Sequence, residues 1–126
     1  TYGGNNRTHM VRIPDAGRIE LRLPDGAANP YLMPAALLAA GLDGIETKAD
    51  PGQRLDVDMY AEGHTIDAPQ LPLNLLDAVR ALEADTALME GMGAEAARSF
   101  VKFKRAEWTE YKGQLTEWER ATTLDC

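Results

Sequence analysis

Apolar and polar residues alternate in two short runs, MVRIP at residues 10–14 and RIELRL at residues 18–23. Side chains alternate across a strand, so each run reads as a strand with one apolar and one charged face. Asp15-Ala16-Gly17 joins them as a three-residue hairpin loop, with Gly17 where positive φ is needed. That loop pairs Pro14 with Arg18, Ile13 with Ile19, Arg12 with Glu20, Val11 with Leu21 and Met10 with Arg22. Val11, Ile13, Ile19 and Leu21 then share one face, and Arg12, Arg18, Glu20 and Arg22 the other. A two-residue loop at Asp15-Ala16 would mix charged and apolar groups on both faces and is rejected. Arg7 has the wrong parity for the charged face, but the preceding GGNN stretch can turn it either way.

Further on, the spacing changes to a helical one. Asn29-Pro30 reads as a helix start, with a second start available at Pro34, and YLMPAALLAA is apolar all round. That composition predicts a buried helix, with Gly41 as its stop. Residues 46–73 show little periodicity and predict a long ordered loop with one or two short strands, one near residues 55–60. Its Asp56, Asp58, Glu62 and His64 lack a fixed ligand spacing and read as a solvated acidic loop. Asn74 with Asp77 opens the next helix, whose stripe is Leu75, Leu76, Val79 and Leu82. A turn at residues 86–92 follows, then a long helix over about 94–111. That helix is expected to bury Phe100, Phe103 or Val101, Trp108 and Tyr111, with Lys102, Lys104 and Arg105 on its wet face. Gly113 breaks it, and Thr116 with Glu119 forms a capping box for a last short helix. The fold class is α+β, helix-rich with an N-terminal β-hairpin.

Composition narrows the functional classes. The 126 residues suit one domain, and 44% apolar content supports a core. A net charge of −7 argues against a general nucleic-acid binder. The charge is uneven: residues 1–25 carry four arginines against three acidic residues, and the remainder nine basic against seventeen acidic residues. The arginine cluster is thus a local feature of an acidic chain. The single cysteine, Cys126, excludes an internal disulfide. No apolar run approaches the ~20 residues of a membrane span, so no membrane partner is expected and the cytoplasm is the default. The chain opens at Thr1 without a methionine and runs at once into motif sequence, so we expect a segment of a longer protein.

The charged hairpin face has two readings. One is a solvated strand face with a cross-strand Arg12–Glu20 pair. The other is an anion site, since arginine offers bidentate donors suited to carboxylate and phosphate, with Glu20 as a metal ligand beside them. Spacing alone leaves both open.

The motifs bear on that choice. Asn-Arg and Arg-Ile-Pro at residues 6–14, Arg-x-Glu-x-Arg-x-x-Asp at 18–25, Asn-Pro-Tyr-Leu at 29–32 and Ala-Gly-Leu-Asp-Gly-Ile at 40–45 stand in order. This series resembles the C-terminal part of the glutamine synthetase catalytic domain. The likeness is dense over residues 5–46 and weaker beyond, where FVKFKRAEWTEYKGQLTEWE resembles the family's closing helices. The stretch GGNNRTHMVRIPDAGRIELRLPDG is similar to a branch that includes atypical glutamine synthetases and γ-glutamylmethylamide synthetases.

The resemblance implies an ATP-dependent ligase that phosphorylates the γ-carboxylate of glutamate and lets ammonia, or methylamine, displace phosphate. It implies that Arg7 is catalytic and contacts glutamate and its γ-phosphoryl intermediate. It assigns Arg12 and Arg18 to the ATP phosphates, Glu20 to a Mg²⁺ or Mn²⁺ ion, and Arg22 to the glutamate carboxylate. It also implies a homo-oligomer in the full-length protein, and a segment inactive by itself. A carboxylate–amine ligase acting on another acid, or a non-catalytic relative, are the competing readings. His9 shares parity with Val11 and reads as a packed, hydrogen-bonded residue.

Overall fold

Three short strands open the chain: β1 (Tyr2–Gly3), β2 (Val11–Asp15) and β3 (Arg18–Leu21). They come from a computed structural model that describes residues 1–123; Cys126 lies outside the described residues. The strand order is β1-β2-β3, with β1 parallel and β3 antiparallel to β2. Val11 pairs with Leu21 and Arg12 with Glu20, as the alternation predicts, and the Arg22 N–H donates to the Met10 carbonyl at 2.8 Å.

The loop differs from expectation. Asp15 pairs with Arg18, so Ala16-Gly17 alone forms the tip, with Gly17 at φ +73°. Between Arg12 and Asp15 the register shifts by one, so Ile13 and Pro14 together oppose Ile19. Pro14 has no N–H to give the ladder, and a bulge is where a strand accommodates that loss. The expected Pro14–Arg18 and Ile13–Ile19 pairs therefore do not form.

Strand β1 had no sequence signature at two residues. It is held by close approach instead. A Cβ on Gly3 would lie 2.5 Å from His9 Cδ2 and 2.6 Å from the Leu55 carbonyl oxygen. Leu55 N–H donates to the Tyr2 carbonyl at 3.0 Å, so the 54–58 segment runs beside β1 without forming the expected strand. It leads into a one-turn helix α2 (Met59–Glu62), where Asp58 caps by accepting from Tyr60 N–H at 2.9 Å. Asp56 pairs with Arg54. His9 is buried, as expected, but only its Nδ1 has a partner, Thr1 Oγ1 at 3.4 Å.

Helix α1 (Leu32–Glu46) follows a cap by Asn29, whose Oδ1 accepts from Tyr31 and Leu32 N–H at 2.9 and 3.0 Å. The ladder already runs from Met33 N–H to the Asn29 carbonyl and resumes from Ala35 N–H to the Tyr31 carbonyl, so Pro34 between them costs one bond, to the Pro30 carbonyl. The helix runs through Gly41 rather than stopping there. It ends at Glu46 with Thr47 as its C-cap, and Lys48 just beyond takes φ +53° while the Lys48 and Ala49 N–H groups donate back to Ile45 and Gly44. The expected burial is absent. Leu38, Leu42 and Ile45 are 66, 59 and 74% exposed, because within its own unit α1 packs against no other element.

The chain divides into two compact units, residues 1–70 and from Leu71 onward. The second unit is helical: α3 (Leu75–Ala84), α4 (Thr86–Gly91), α5 (Ala94–Lys112) and α6 (Glu117–Thr123). Asn74 caps α3 through Asp77 N–H, as predicted. The expected turn at residues 86–92 is the short helix α4, capped by Asp85. Val79 of α3 and Ala97 and Val101 of α5 are buried, and α5 packs against both α3 and α4. Phe103 and Tyr111 are exposed, and Phe100 and Trp108 only half-buried, because the buried stripe steps from Ala97 to Val101 by one helical turn. Arg105 reaches across to Glu83 with a bidentate pair. Thr116 and Glu119 form the predicted capping box: Glu119 Oε2 accepts from Thr116 N–H at 2.8 Å, and Thr116 Oγ1 accepts from Glu119 N–H at 3.2 Å.

Candidate active site

Arg12, Glu20 and Arg22 on the hairpin and the backbone of Arg7 form one connected chain of polar contacts. Glu20 sits on β3 directly opposite Arg12 on β2, so the cross-strand distance alone brings their side chains together. Arg12 Nη1 donates to Glu20 Oε2 at 2.5 Å, and Arg22 Nη1 donates to Glu20 Oε1 at 2.5 Å. Each carboxylate oxygen thus meets a different guanidinium. Arg12 also donates from Nε to Asn5 Oδ1 at 2.9 Å, and from Nη2 to the same oxygen. Its side chain is only 12% exposed. Arg22 Nε donates to the Arg7 carbonyl at 2.9 Å, which brings the Arg7 backbone to the cluster.

The electrostatics follow from this geometry. Hydrogen bonds from Arg22 and then Arg12 hold the Glu20 carboxyl below its ordinary range, so it is ionised near neutrality. Three arginines, Arg7, Arg12 and Arg22, stand against one glutamate. The cluster keeps a positive excess on an otherwise acidic chain.

Four of the five residues singled out by sequence are therefore linked through side chain or backbone. Arg18 is not. Its guanidinium is held at the hairpin tip by Asp15 at 2.8 Å, in a pair that is exposed on both sides. The bulge at Pro14 gives Arg18 that partner. Among the described residues the Arg7 side chain has no partner and is exposed. Sequence reading missed Asn5, whose carbonyl orients Arg12, and the contacts of Asn6 and Thr8 with Val57 and Met59. A contact across 51 residues leaves no periodic signal.

The donor set bears on a cation. An ionised glutamate is a hard oxygen ligand of the kind Mg²⁺ or Mn²⁺ takes. A closed site needs several such oxygens, and no group of three or more His, Cys, Asp or Glu side chains among the described residues could hold a metal. Glu20 fits as one ligand of a shell, not as a site.

Residues 1–123 match the family model of the glutamine synthetase catalytic domain. The chain belongs to that family. A glutamine synthetase of Rhizobium leguminosarum bv. phaseoli is 60% identical over 126 residues, 99% of this chain and 29% of the relative. A glutamate–methylamine ligase of Methyloversatilis universalis is 42% identical over 128 residues, covering 98% of this chain and 28% of the relative. Among solved structures, apo GmaS without ligand is 82% identical with a TM-score of 0.97, over 100% of this chain and 30% of that one. A GmaS complex with ADP is likewise 82% identical with a TM-score of 0.95, over 100% of this chain and 29% of that one. The chain therefore spans about 29% of the length of the curated relatives it matches. The glutamine synthetase fold accounts for the α+β class and its small N-terminal sheet.

Proposed function

We propose that the full-length protein is an ATP-dependent glutamate–amine ligase working through a γ-glutamyl phosphate. The observation that carries this is the Arg12–Glu20–Arg22 cluster beside Arg7, on a chain of the glutamine synthetase family. Phosphoryl transfer to a carboxylate gathers charge on several oxygens, and oriented guanidinium groups stabilise such charge. Arg22 holds the glutamate carboxylate. Arg7, with its free guanidinium, meets the γ-phosphoryl group. Arg12 and Arg18 serve the ATP phosphates, with Arg18 leaving Asp15 to do so. Glu20 supplies one ligand to a divalent cation, Mg²⁺ or Mn²⁺, whose other ligands come from outside these residues. When bound, the cation supplies charge neutralisation at the transferring phosphoryl group. The ADP complex of the 82% identical GmaS supports nucleotide use. The protein acts in the cytoplasm as a homo-oligomer, and residues 1–126 have no activity by themselves.

Two amines compete. Methylamine is favoured by the 82% identity with GmaS and by the methylamine ligase among the relatives. Ammonia is favoured by the 60% identity with a glutamine synthetase. Steady-state assays of the full-length protein with glutamate, ATP and each amine separate them. We expect phosphate release that requires glutamate and amine together, with a higher kcat/KM for methylamine. A higher kcat/KM for ammonia selects the second reading, and no amine-dependent turnover rejects both.

A further inference from the structure

Arg7 lies between two residues whose side chains both bond to the 57–59 segment. Asn6 Nδ2 donates to the Val57 carbonyl at 2.9 Å. Asn6 Oδ1 accepts from Thr8 N–H at 2.9 Å and from the Thr8 hydroxyl at 2.8 Å. The Thr8 oxygen in turn accepts from Met59 N–H at 2.9 Å. Every direction in this circuit is fixed. Met59 N–H is a donor only, so Thr8 must accept there and give its proton to Asn6. The Val57 carbonyl is an acceptor only, so the Asn6 amide cannot flip. Met59 is the first residue of α2, and its N–H is one of the donors a helix start leaves without an internal partner.

We propose that Asn6 and Thr8 are positioning residues that fix Arg7 by tying the peptides on both its sides to Val57 and Met59. The 57–59 segment, read from sequence as part of an acidic loop, becomes the rear support of the site. The flanking clasp and the bond from Arg22 to the Arg7 carbonyl hold the Arg7 backbone from two sides, while its guanidinium stays free for a ligand. This rests on the role proposed above for Arg7. Positioning of this kind matters because a displacement of about 1 Å at a reacting centre is costly in rate.

The bond between Thr8 and Met59 can be broken from either end. Thr8→Val keeps the shape and removes the hydroxyl. Met59→Pro removes the N–H at a first helical position, which accepts proline, and Asp58 before it has the extended backbone (φ −77°, ψ 105°) that proline requires. Thr8→Ser keeps the circuit. In the full-length protein, each disrupting variant is expected to lower kcat roughly three- to tenfold, the weight of one hydrogen bond, with the glutamate KM little changed. The double variant should lose no more than the worse single one, because both remove the same bond. Thr8→Ser should retain wild-type kcat, and Thr8→Val should speed amide exchange at Met59. Unchanged kcat alongside faster exchange makes the circuit structural only and overturns the proposal. So do losses that add in the double variant. If the full-length protein turns over neither amine, the functional reading fails by that assay. Exchange at Met59 in Thr8→Val against Thr8→Ser then decides the clasp, and equal rates overturn it.

Discussion

Glu20 meets a guanidinium on each carboxylate oxygen, and that arrangement sets what its loss does. Glu20→Gln keeps the shape but turns one acceptor into an NH₂ donor facing an arginine. One of Arg12 and Arg22 then loses its partner, and the cluster gains a net positive charge. In the full-length protein, turnover should fall about ten- to a hundredfold, the usual range for changes around a metal ligand, and the cation concentration needed for half activity should rise. Titration of activity with Mg²⁺ checks both, and a wild-type curve removes Glu20 from the cation's surroundings. The acid dependence has a definite sign. The folded-state pKa lies below the ordinary 4.5, so the stabilisation is fully present above about pH 4.5. It is lost as pH falls further, through the lowered value. Acid unfolding of Glu20→Gln should lack this contribution. The Arg12–Glu20 pairing itself was legible from alternation, since period two puts both on one face. Arg18 pairs with Asp15 instead of Pro14 because one proline shifts the ladder, and no hydrophobic pattern reports a missing N–H.

At the scale of elements, helices with caps were legible and close approaches were not. Asn74 and the Thr116–Glu119 box act locally, within three residues, so sequence spacing contains them. The long helix α5 was placed within a residue of its end, but its buried side proved to be Ala97 and Val101, because small residues admit the closest helix contact and the larger Phe103 points outward. The stop of α1 at Glu46 had no glycine to mark it, since Lys48 takes the positive φ beyond it. Strand β1 depends on Gly3, and the glycine pair there offers a controlled comparison. Gly3→Ala drives a methyl into His9 and into the Leu55 backbone carbonyl, which cannot yield cheaply. Gly4→Ala meets only the end of the Arg54 side chain, which can swing away. Overpacking of this kind costs about 1–3 kcal/mol. Chemical denaturation of the two variants in the full-length protein should show that loss for Gly3→Ala and a smaller one for Gly4→Ala. Equal midpoints for both would mean that the contact between β1 and the 55–58 segment contributes nothing to stability.

For the molecule as a whole, the 126-residue chain carries more exposed apolar surface than it can leave free without consequence. Leu38, Leu42 and Ile45 recur at helical spacing on α1 and are 59–74% exposed. Burying three such side chains yields roughly 5–9 kcal/mol at about 1.5–3 kcal/mol each. Association costs an estimated 4–15 kcal/mol, so this stripe supports self-association that is weak and concentration-dependent. A net charge of −7 opposes it, and salt screens that repulsion. The expected behaviour is a weight-average mass that climbs with protein concentration and climbs further with added salt, measured by sedimentation equilibrium. Leu38→Glu with Leu42→Lys should return the chain to monomer without loss of helical circular dichroism, because both positions face water and both substitutes are good helix formers. A chain that stays monomeric at every concentration and salt level, and binds no hydrophobic dye, would show that the α1 stripe is not adhesive.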